Sequence, residues 1–156
     1  MRCDSGFSCP NSRSKLIAIF FTSWYYTDNL MIIKKLKPFY VDERGTMTHL
    51  LDGKIKIIGA LLITCNKGAI RANHYHTHDI HYSYMLKGSM EYTYQNLKVK
   101  NSKKRSIIVH EGDLVYTPPM TGHAMRFLED SIFLALTTEK RDKSSYETDT
   151  IRLKLI

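Results

Sequence analysis

Between residues 31 and 138 the chain alternates short apolar runs with turn-forming residues, and this alternation constrains its fold more than any other feature. The runs are rich in β-branched and aromatic residues, which favour strands. Turn signals such as Asp52-Gly53 and Lys87-Gly88 separate them. No stretch in this range has the periodicity of an amphipathic helix of three turns. Strands this short at this spacing predict an all-β sandwich or barrel.

The patterns of two predicted strands indicate where each strand lies in the domain. Residues 55–64 form a long, nearly continuous apolar run, which is typical of a buried central strand. Residues 151–156 alternate apolar and basic side chains and are predicted as a strand against the domain or a partner subunit. The other predicted strands are 31–36, 39–41, 46–51, 81–86, 90–94, 106–110, 113–117, 123–127 and 132–137.

The domain is predicted to span residues 31–156, since this length suits one domain with its own core. Residues 1–30 differ in composition and are predicted to be a poorly ordered extension, or to follow from a start codon that is not the natural one. An arm that packs on a partner subunit is the alternative. The apolar run at 16–21 is too short to span a bilayer.

The chain is basic, with a net charge of +8. Apart from residues 98–105, which we interpret as a solvated hairpin loop, its basic residues are scattered. This charge is compatible with a nucleic acid, an anionic membrane surface or an anionic small molecule. We expect an anionic small molecule, and neither a nucleic acid nor a membrane span. The cysteines are Cys3, Cys9 and Cys65, an odd number without a Cys-x-x-Cys pair, which favours a cytoplasmic protein with reduced thiols.

Four of the seven histidines lie within eight positions, from His74 to His81. His74 and His76 are two residues apart, so on a strand their side chains leave the same face. His81 begins the next predicted strand, and His123 lies in a later one. Imidazoles that converge on one point favour a divalent transition metal such as Fe, Mn, Ni or Zn. The alternative is a metal-free cluster that moves protons, since histidine is also a general acid and base near neutral pH.

Two segments resemble the sequence motifs of the cupin superfamily. Gly68, His74-x-His76, His81 and Gly88 follow the spacing of the first motif, and Gly112, Pro118 and His123 follow that of the second. The resemblance implies a cupin-type double-stranded β-helix, which is a jelly-roll barrel. It also implies a metal held by His74, His76, His81 and His123. The chain departs from the pattern where His81 replaces the usual Glu and Met120 replaces the usual Gly.

A closer resemblance links the chain to sugar-nucleotide cupins. Residues 39–45, 71–76 and 119–123 are similar to the dTDP-4-dehydrorhamnose 3,5-epimerases and the dTDP-4-keto-6-deoxyglucose 3,4-ketoisomerases. The tail at 146–152 is similar to that of cupin domains fused to capsule-sugar epimerases. Ala72 replaces the glycine of these families, and the late strand lacks the tyrosine acid of the epimerases. The ketoisomerases carry Gln where His81 stands and bind no metal.

The resemblance implies an epimerase or isomerase of a nucleotide-linked keto sugar, in surface-polysaccharide or deoxysugar synthesis. His74 and His76 would be catalytic, and Arg71, Asn73 and Tyr92 would bind substrate. No organic cofactor is expected. The alternatives are a metal-dependent cupin dioxygenase and a non-catalytic binding or sensor module. A homodimer is expected, with strands rich in tyrosine as one possible interface: Tyr82, Tyr84, Tyr92 and Tyr94.

Overall fold

The computed structural model describes residues 24–27, 30–51, 53 and 55–156. Of the predicted extension, residues 1–23, 28 and 29 lie outside the described residues, and so do Cys3 and Cys9. The described ranges form strands and one helix: β1 Trp24–Thr27, β2 Leu30–Lys35, β3 Tyr40–Asp42, β4 Gly45–Met47, β5 Gly59–Cys65, β6 Ile70–His76, β7 His81–Lys87, β8 Ser89–Asn96, β9 Arg105–His110, β10 Asp113–Thr117, β11 Thr121–Phe127, β12 Ser131–Thr137, α1 Lys143–Asp149 and β13 Thr150–Arg152.

Two antiparallel sheets make up the domain. One has the strand order β1-β2-β10-β7-β12-β5 and the other has β13-β6-β11-β8-β9, while β3 and β4 pair as a separate hairpin. Neighbours in each sheet are mostly distant in sequence, as in β10 beside β7 and β11 beside β6. This is a jelly roll, and the all-β prediction is confirmed. The basic run at 98–105 connects β8 and β9 as a hairpin, as predicted.

The core lies between the inner faces of the two sheets. Met85 and Phe133 come from the larger sheet, and Met90 and Phe127 from the smaller one; all four are at most 3% exposed. Phe127 and Phe133 stack across the gap with ring centroids 5.8 Å apart. Each such buried side chain contributes about 1.5–3 kcal/mol of transfer free energy. This packing holds the sheets together and fixes the strands that carry the histidines.

The apolar run at 55–64 is not a buried central strand. Its strand, β5, is the last in its sheet and alternates between inner and outer faces. Leu61 and Ile63 point inward, whereas Leu62 is 67% exposed. The prediction was wrong because a continuous apolar run does not distinguish a central strand from an edge strand with an apolar outer face.

The C-terminal tail also differs from the sequence prediction. Lys143–Asp149, read as a polar segment, forms a helix, and β13 that follows it is shorter than predicted and pairs with β6. At the other end, β1 and the first residue of β2 fall within the predicted extension, and the two strands pair with each other. In the described part of the chain no helix is long and apolar enough to cross a membrane.

The tyrosines considered for a subunit interface lie on two different faces. Tyr92 and Tyr94 are at most 4% exposed and belong to the core between the sheets. Tyr82 and Tyr84 leave the face of β7 opposite to Ser83 and Met85, which face the cavity and the core. An interface at Tyr82 and Tyr84 stays a prediction.

Candidate functional site

Four imidazoles converge inside the barrel. His74 and His76 leave the same face of β6, His123 lies opposite His74 on β11, and His81 begins β7. The ring centroid of His74 lies 4.7 Å from those of both His76 and His123, and the centroids of His76 and His81 are 4.3 Å apart. The structure therefore brings together all four histidines that the sequence singled out.

Hydrogen bonds to carbonyl groups fix two of these rings. The Nδ1 of His76 lies 3.1 Å from the carbonyl oxygen of Asp149, and the Nδ1 of His123 lies 3.0 Å from that of Thr121. A carbonyl oxygen only accepts, so each Nδ1 carries a hydrogen and each Nε2 keeps its lone pair. The Nε2 atoms of His74 and His76 are 3.1 Å apart. They can share a proton.

Burial keeps the cluster neutral. It lowers the pKa of His74 to about 3, with the neighbouring His76 and His81 adding to the effect. It lowers the pKa of His76 to about 4, where His81 and Arg141 add to it and Asp79 opposes it. Burial also lowers the pKa of His123. At neutral pH these imidazoles are unprotonated bases, as both proton abstraction and metal binding require.

His81 belongs to a second group with Asp79 and Arg141. Its Nε2 lies 3.0 Å from Asp79 Oδ2, which also accepts a 2.7 Å hydrogen bond from Arg141, and Arg141 contacts the same Nε2. Burial alone would raise the pKa of Asp79, but the His81 hydrogen bond and the charge of Arg141 hold it well below its usual range. The carboxylate also accepts hydrogen bonds from the backbone of Thr138 and Glu139.

Asp149, at the end of α1, fixes the loop between the two histidine strands. Its carboxylate accepts hydrogen bonds from the backbone N–H groups of Thr77, His78 and Asp79 at 2.9–3.1 Å, while its carbonyl holds His76. Although burial opposes the shift, the hydrogen bond from the Thr77 hydroxyl and these backbone bonds lower the pKa of Asp149 to about 2. The C-terminal segment is therefore part of the site.

Both departures from the cupin glycine pattern adopt left-handed backbone conformations. Met120 has a φ of 61° and Ala72 one of 66°. Asn73 (φ 54°) is the extra residue of a β-bulge opposite β11. Left-handed backbone favours glycine because a Cβ is crowded there. The second-motif turn keeps this geometry without its glycine, and the amide of Met120 donates to the His76 carbonyl at 2.7 Å.

A cavity of about 220 Å³ opens beside the cluster. One side is polar and cationic and the other is apolar. Its lining comprises Leu61, Ile63, Arg71, Ala72, His74, His81, Ser83, His123, Met125, Phe133, Ala135, Thr137 and Arg141. His76 lies behind His74 and takes no part in the lining. The cavity therefore presents His74, His81 and His123 to a ligand.

The three predicted substrate-binding residues have different surroundings. Arg71 lines the cavity, where its guanidinium donates to Cys65 Sγ at 2.9 Å and to the Thr64 carbonyl. Asn73 instead binds the tail, and its Oδ1 accepts from the backbone amide of Leu155 at 2.9 Å. Tyr92 lies outside the cavity lining. In the structure Asn73 anchors residues 155 and 156, and its substrate-binding role stays a prediction.

Tyr92 supports the cluster from behind. It is fully buried, its ring stacks on His123 at 6.1 Å, and its hydroxyl lies 2.6 Å from Thr117 Oγ1. Burial raises its pKa, so the phenol stays neutral. His78, by contrast, points to solvent with 83% of its side chain accessible.

Sequence reasoning missed Asp79, Arg141 and Asp149 as site residues. Asp79 lies within the histidine segment, and a carboxylate two residues from a candidate ligand is a recognisable signal. Arg141 lies 60 residues beyond its partner His81, and Asp149 lies 73 residues beyond its partner His76. Only the fold brings them together.

The donor atoms of His74, His76 and His123 fit a metal ion. They lie within 4.8 Å of one another, all three side chains are buried, and two of the rings direct an Nε2 lone pair away from their carbonyl partners. Imidazole nitrogens bind Zn²⁺ at about 2.0–2.1 Å, so two nitrogens 3.1 Å apart can share one ion. The Nε2 of His81, by contrast, is engaged by Asp79 and Arg141.

Comparisons with solved structures agree with this architecture. A double mutant of the QdtA 3,4-ketoisomerase from Thermoanaerobacterium thermosaccharolyticum, in complex with TDP, is 28% identical, with a TM-score of 0.61 over 77% of this chain and 85% of that one. The dTDP-4-dehydrorhamnose 3,5-epimerase from Sulfolobus tokodaii is 18% identical, with a TM-score of 0.61 over 76% of this chain and 73% of that one. At that identity the second likeness shows the fold alone.

Sequence comparisons identify the family. The search of curated protein sequences finds no match. The family model described as the cupin domain matches residues 61–138, a range that contains all four clustered histidines and both glycine-pattern departures. With the jelly roll and the two motifs in place, the chain belongs to the cupin family.

Proposed function

We propose that this protein is an isomerase or epimerase of a nucleotide-linked keto sugar. The observation that supports this most directly is the buried pair of His74 and His76, whose Nε2 atoms are 3.1 Å apart beside a cavity. The likeness to a 3,4-ketoisomerase in complex with TDP, at 28% identity, supports the same substrate class.

The reaction begins with removal of a proton from the carbon next to the sugar ketone. This step needs a base that is unprotonated at working pH. His74 faces the cavity, and burial lowers the pKa of its imidazole, so the ring is neutral there. His76 lies behind it and can share the proton through the two Nε2 atoms. Return of the proton to the other face of the same carbon gives an epimer. Its delivery to the former carbonyl carbon, with transfer of the neighbouring hydroxyl proton to the former carbonyl oxygen, moves the ketone.

The positive charge of the cavity suits this substrate. Arg71 and Arg141 both line it. A guanidinium there attracts the diphosphate and stabilises negative charge on the enolate oxygen. The apolar side of the cavity, which includes Leu61 and Phe133, excludes water from the reacting carbon.

We also propose that His74, His76 and His123 can hold a divalent transition metal. When bound, the ion would supply a Lewis acid for a carbonyl oxygen. Metal analysis of the purified protein tests this: we expect bound Fe, Mn, Ni or Zn that is lost in His123→Ala. Protein that stays metal-free in the presence of these ions would leave the histidines as a proton-transfer cluster.

A homodimer is the expected assembly. The hairpin of β3 and β4 exposes Val41 (68%) and Met47 (49%), and the outer face of β5 exposes Leu62 (67%). Burying these apolar side chains against a second copy would remove them from water. Light scattering during size-exclusion chromatography should give twice the mass of one chain. Leu62→Lys should shift the measured mass toward that of a single chain.

The activity is tested by incubating the protein with TDP-4-keto-6-deoxyglucose and related nucleotide keto sugars and identifying products by NMR. We expect a new keto sugar or epimer with wild type and none with His74→Gln. Oxygen consumption by iron-loaded protein, without sugar conversion, would instead indicate a cupin dioxygenase. Tight binding without any turnover would indicate a binding or sensor module.

A further inference from the structure

The guanidinium of Arg141 occupies the space that a metal ion would need in order to bind a second group of donor atoms. Its guanidinium donates to Asp79 Oδ2 at 2.7 Å and contacts His81 Nε2. Asp79 Oδ2 and His81 Nε2 are themselves within hydrogen-bond distance, 3.0 Å apart. The side chain of Arg141 is only 12% exposed and that of Asp79 only 2%, so the guanidinium is held in place by burial as well as by charge.

The two atoms that Arg141 touches belong to a group with the composition of a metal site. Ligand atoms of His76, Asp79 and His81 lie within 4.8 Å of one another, and all three residues are buried. Two imidazoles and a carboxylate are a common donor set for Zn²⁺ and non-haem Fe²⁺. Because the group shares His76 with the cluster of His74, His76 and His123, the chain carries two overlapping donor groups.

A guanidinium cannot coordinate a metal, because it is always protonated and only donates hydrogen bonds. An ion at Asp79 and His81 would have to displace it and would be repelled by its charge. The arginine also reaches the rest of the cluster, since its charge contributes to the lowered pKa of His74 and His76.

We propose that Arg141 acts as a built-in cation that closes the His76–Asp79–His81 group to metal ions. His81 then serves as a hydrogen-bond partner of Asp79 and Arg141 and not as a ligand. Only the group of His74, His76 and His123 remains open to an ion. This inference goes beyond the proposed function and does not depend on the identity of the sugar.

The cavity offers a matched control. Arg71 also lines it and carries the same charge, but its guanidinium binds Cys65 Sγ and the Thr64 carbonyl, not a group of candidate ligands. Neutralising Arg71 removes a general positive charge. Neutralising Arg141 removes the same charge and also frees Asp79 and His81.

The experiment measures the dissociation constant for Zn²⁺ by calorimetry with a competing chelator, on the full chain. Arg141→Gln keeps a donor for Asp79 but removes the charge, and it should bind Zn²⁺ at least about tenfold more tightly than wild type. Arg71→Gln should stay close to wild type. Adding His81→Ala to Arg141→Gln should remove the gain. If wild type binds no Zn²⁺, binding should become measurable in Arg141→Gln.

Three results would overturn the inference. One is unchanged or weaker Zn²⁺ binding in Arg141→Gln. Another comes from single variants that keep Arg141. This result is decisive even if Arg141→Gln does not fold. We expect His123→Ala to lose Zn²⁺ binding and His81→Ala to keep it, so equal losses would show that His81 is already a ligand. If wild type and a folded Arg141→Gln both fail to bind Zn²⁺, the inference is also overturned.

Discussion

The Nε2 atoms of His74 and His76 lie 3.1 Å apart, and the opposite nitrogen of His76 is anchored to the carbonyl of Asp149. His74 lines the cavity and His76 stands behind it. In the function proposed above, each ring has a separate task. His74 would meet the ligand, and His76 would accept or return the proton while the tail keeps its ring in one orientation.

Loss of the cavity-facing base should remove activity without unfolding the protein. His74→Gln keeps a polar side chain of similar size, and we expect turnover to fall about 10²–10⁴-fold because the general base is lost. Turnover of a nucleotide keto sugar measures the effect, and circular dichroism verifies the fold. His78→Gln is the matched control, since its side chain is 83% exposed and only four residues away. Equal losses in both variants would argue against a catalytic role for His74.

Asp149 should be needed for both stability and activity. Its carboxylate accepts three backbone N–H bonds from residues 77–79, so Asp149→Ala should lower the free energy of unfolding by about 2–4 kcal/mol. Turnover should also fall, because the loop between β6 and β7 loses its anchor. Urea denaturation measures the first effect and the sugar assay the second.

Glu147 provides the control for Asp149. It lies on the same helix, is 59% exposed, and makes only a 3.8 Å ion pair with Arg152. Glu147→Ala should change the free energy of unfolding by less than about 1 kcal/mol. A similar loss in both variants would show that helix content, rather than the loop bonds, accounts for the effect.

Acidification should destabilise the protein below the ordinary pKa of histidine. The pKa values of His74 and His76 are about 3 and about 4 in the folded protein, against 6.5 when unfolded. Between these values the unfolded chain binds more protons, so the free energy of unfolding falls as the pH drops from 6.5 to 4. Each histidine contributes up to about 1.4 kcal/mol per pH unit in this window. Above pH 6.5 neither histidine makes the free energy of unfolding depend on pH.

Urea denaturation at intervals between pH 7.5 and 4 measures this slope. His74→Gln should flatten it, because one of the two buried imidazoles is gone. A free energy of unfolding that stays level or rises on acidification would mean that the cluster is already protonated in the folded state.

Met120 should be replaceable by glycine with a gain in stability. Its φ of 61° lies in the left-handed region, where a Cβ costs about 1–2 kcal/mol. Part of this is offset by the greater freedom of glycine in the unfolded chain, so we expect Met120→Gly to raise the free energy of unfolding by up to about 1 kcal/mol. Met47→Gly, on strand β4, should lower it. If both variants are destabilised equally, the side-chain packing of Met120 outweighs its backbone strain.

The sequence predicted the parts of this fold that depend on local pattern. Short apolar runs predicted the strands. The two-residue spacing of His74 and His76 predicted that both side chains leave the same face of one strand. The edge position of β5 could not be predicted, because an apolar outer face and a buried face have the same composition. The partners of the histidines were also beyond prediction, since Arg141 and Asp149 reach the site only through the tail.

Backbone geometry was predictable only through the family pattern. The sequence showed that Met120 replaces the glycine of the second cupin motif and that Ala72 replaces a glycine of the sugar-nucleotide cupins. The structure retains left-handed φ at both, because the strands on either side fix the path of the chain.

Proton exchange with solvent tests the central claim most directly. The protein is incubated with TDP-4-keto-6-deoxyglucose in D₂O, and the sugar ring is followed by NMR and mass spectrometry. If His74 removes a proton beside the ketone, solvent deuterium enters the ring with wild type and not with His74→Gln. A panel of nucleotide keto sugars that bind but gain no deuterium would contradict the account.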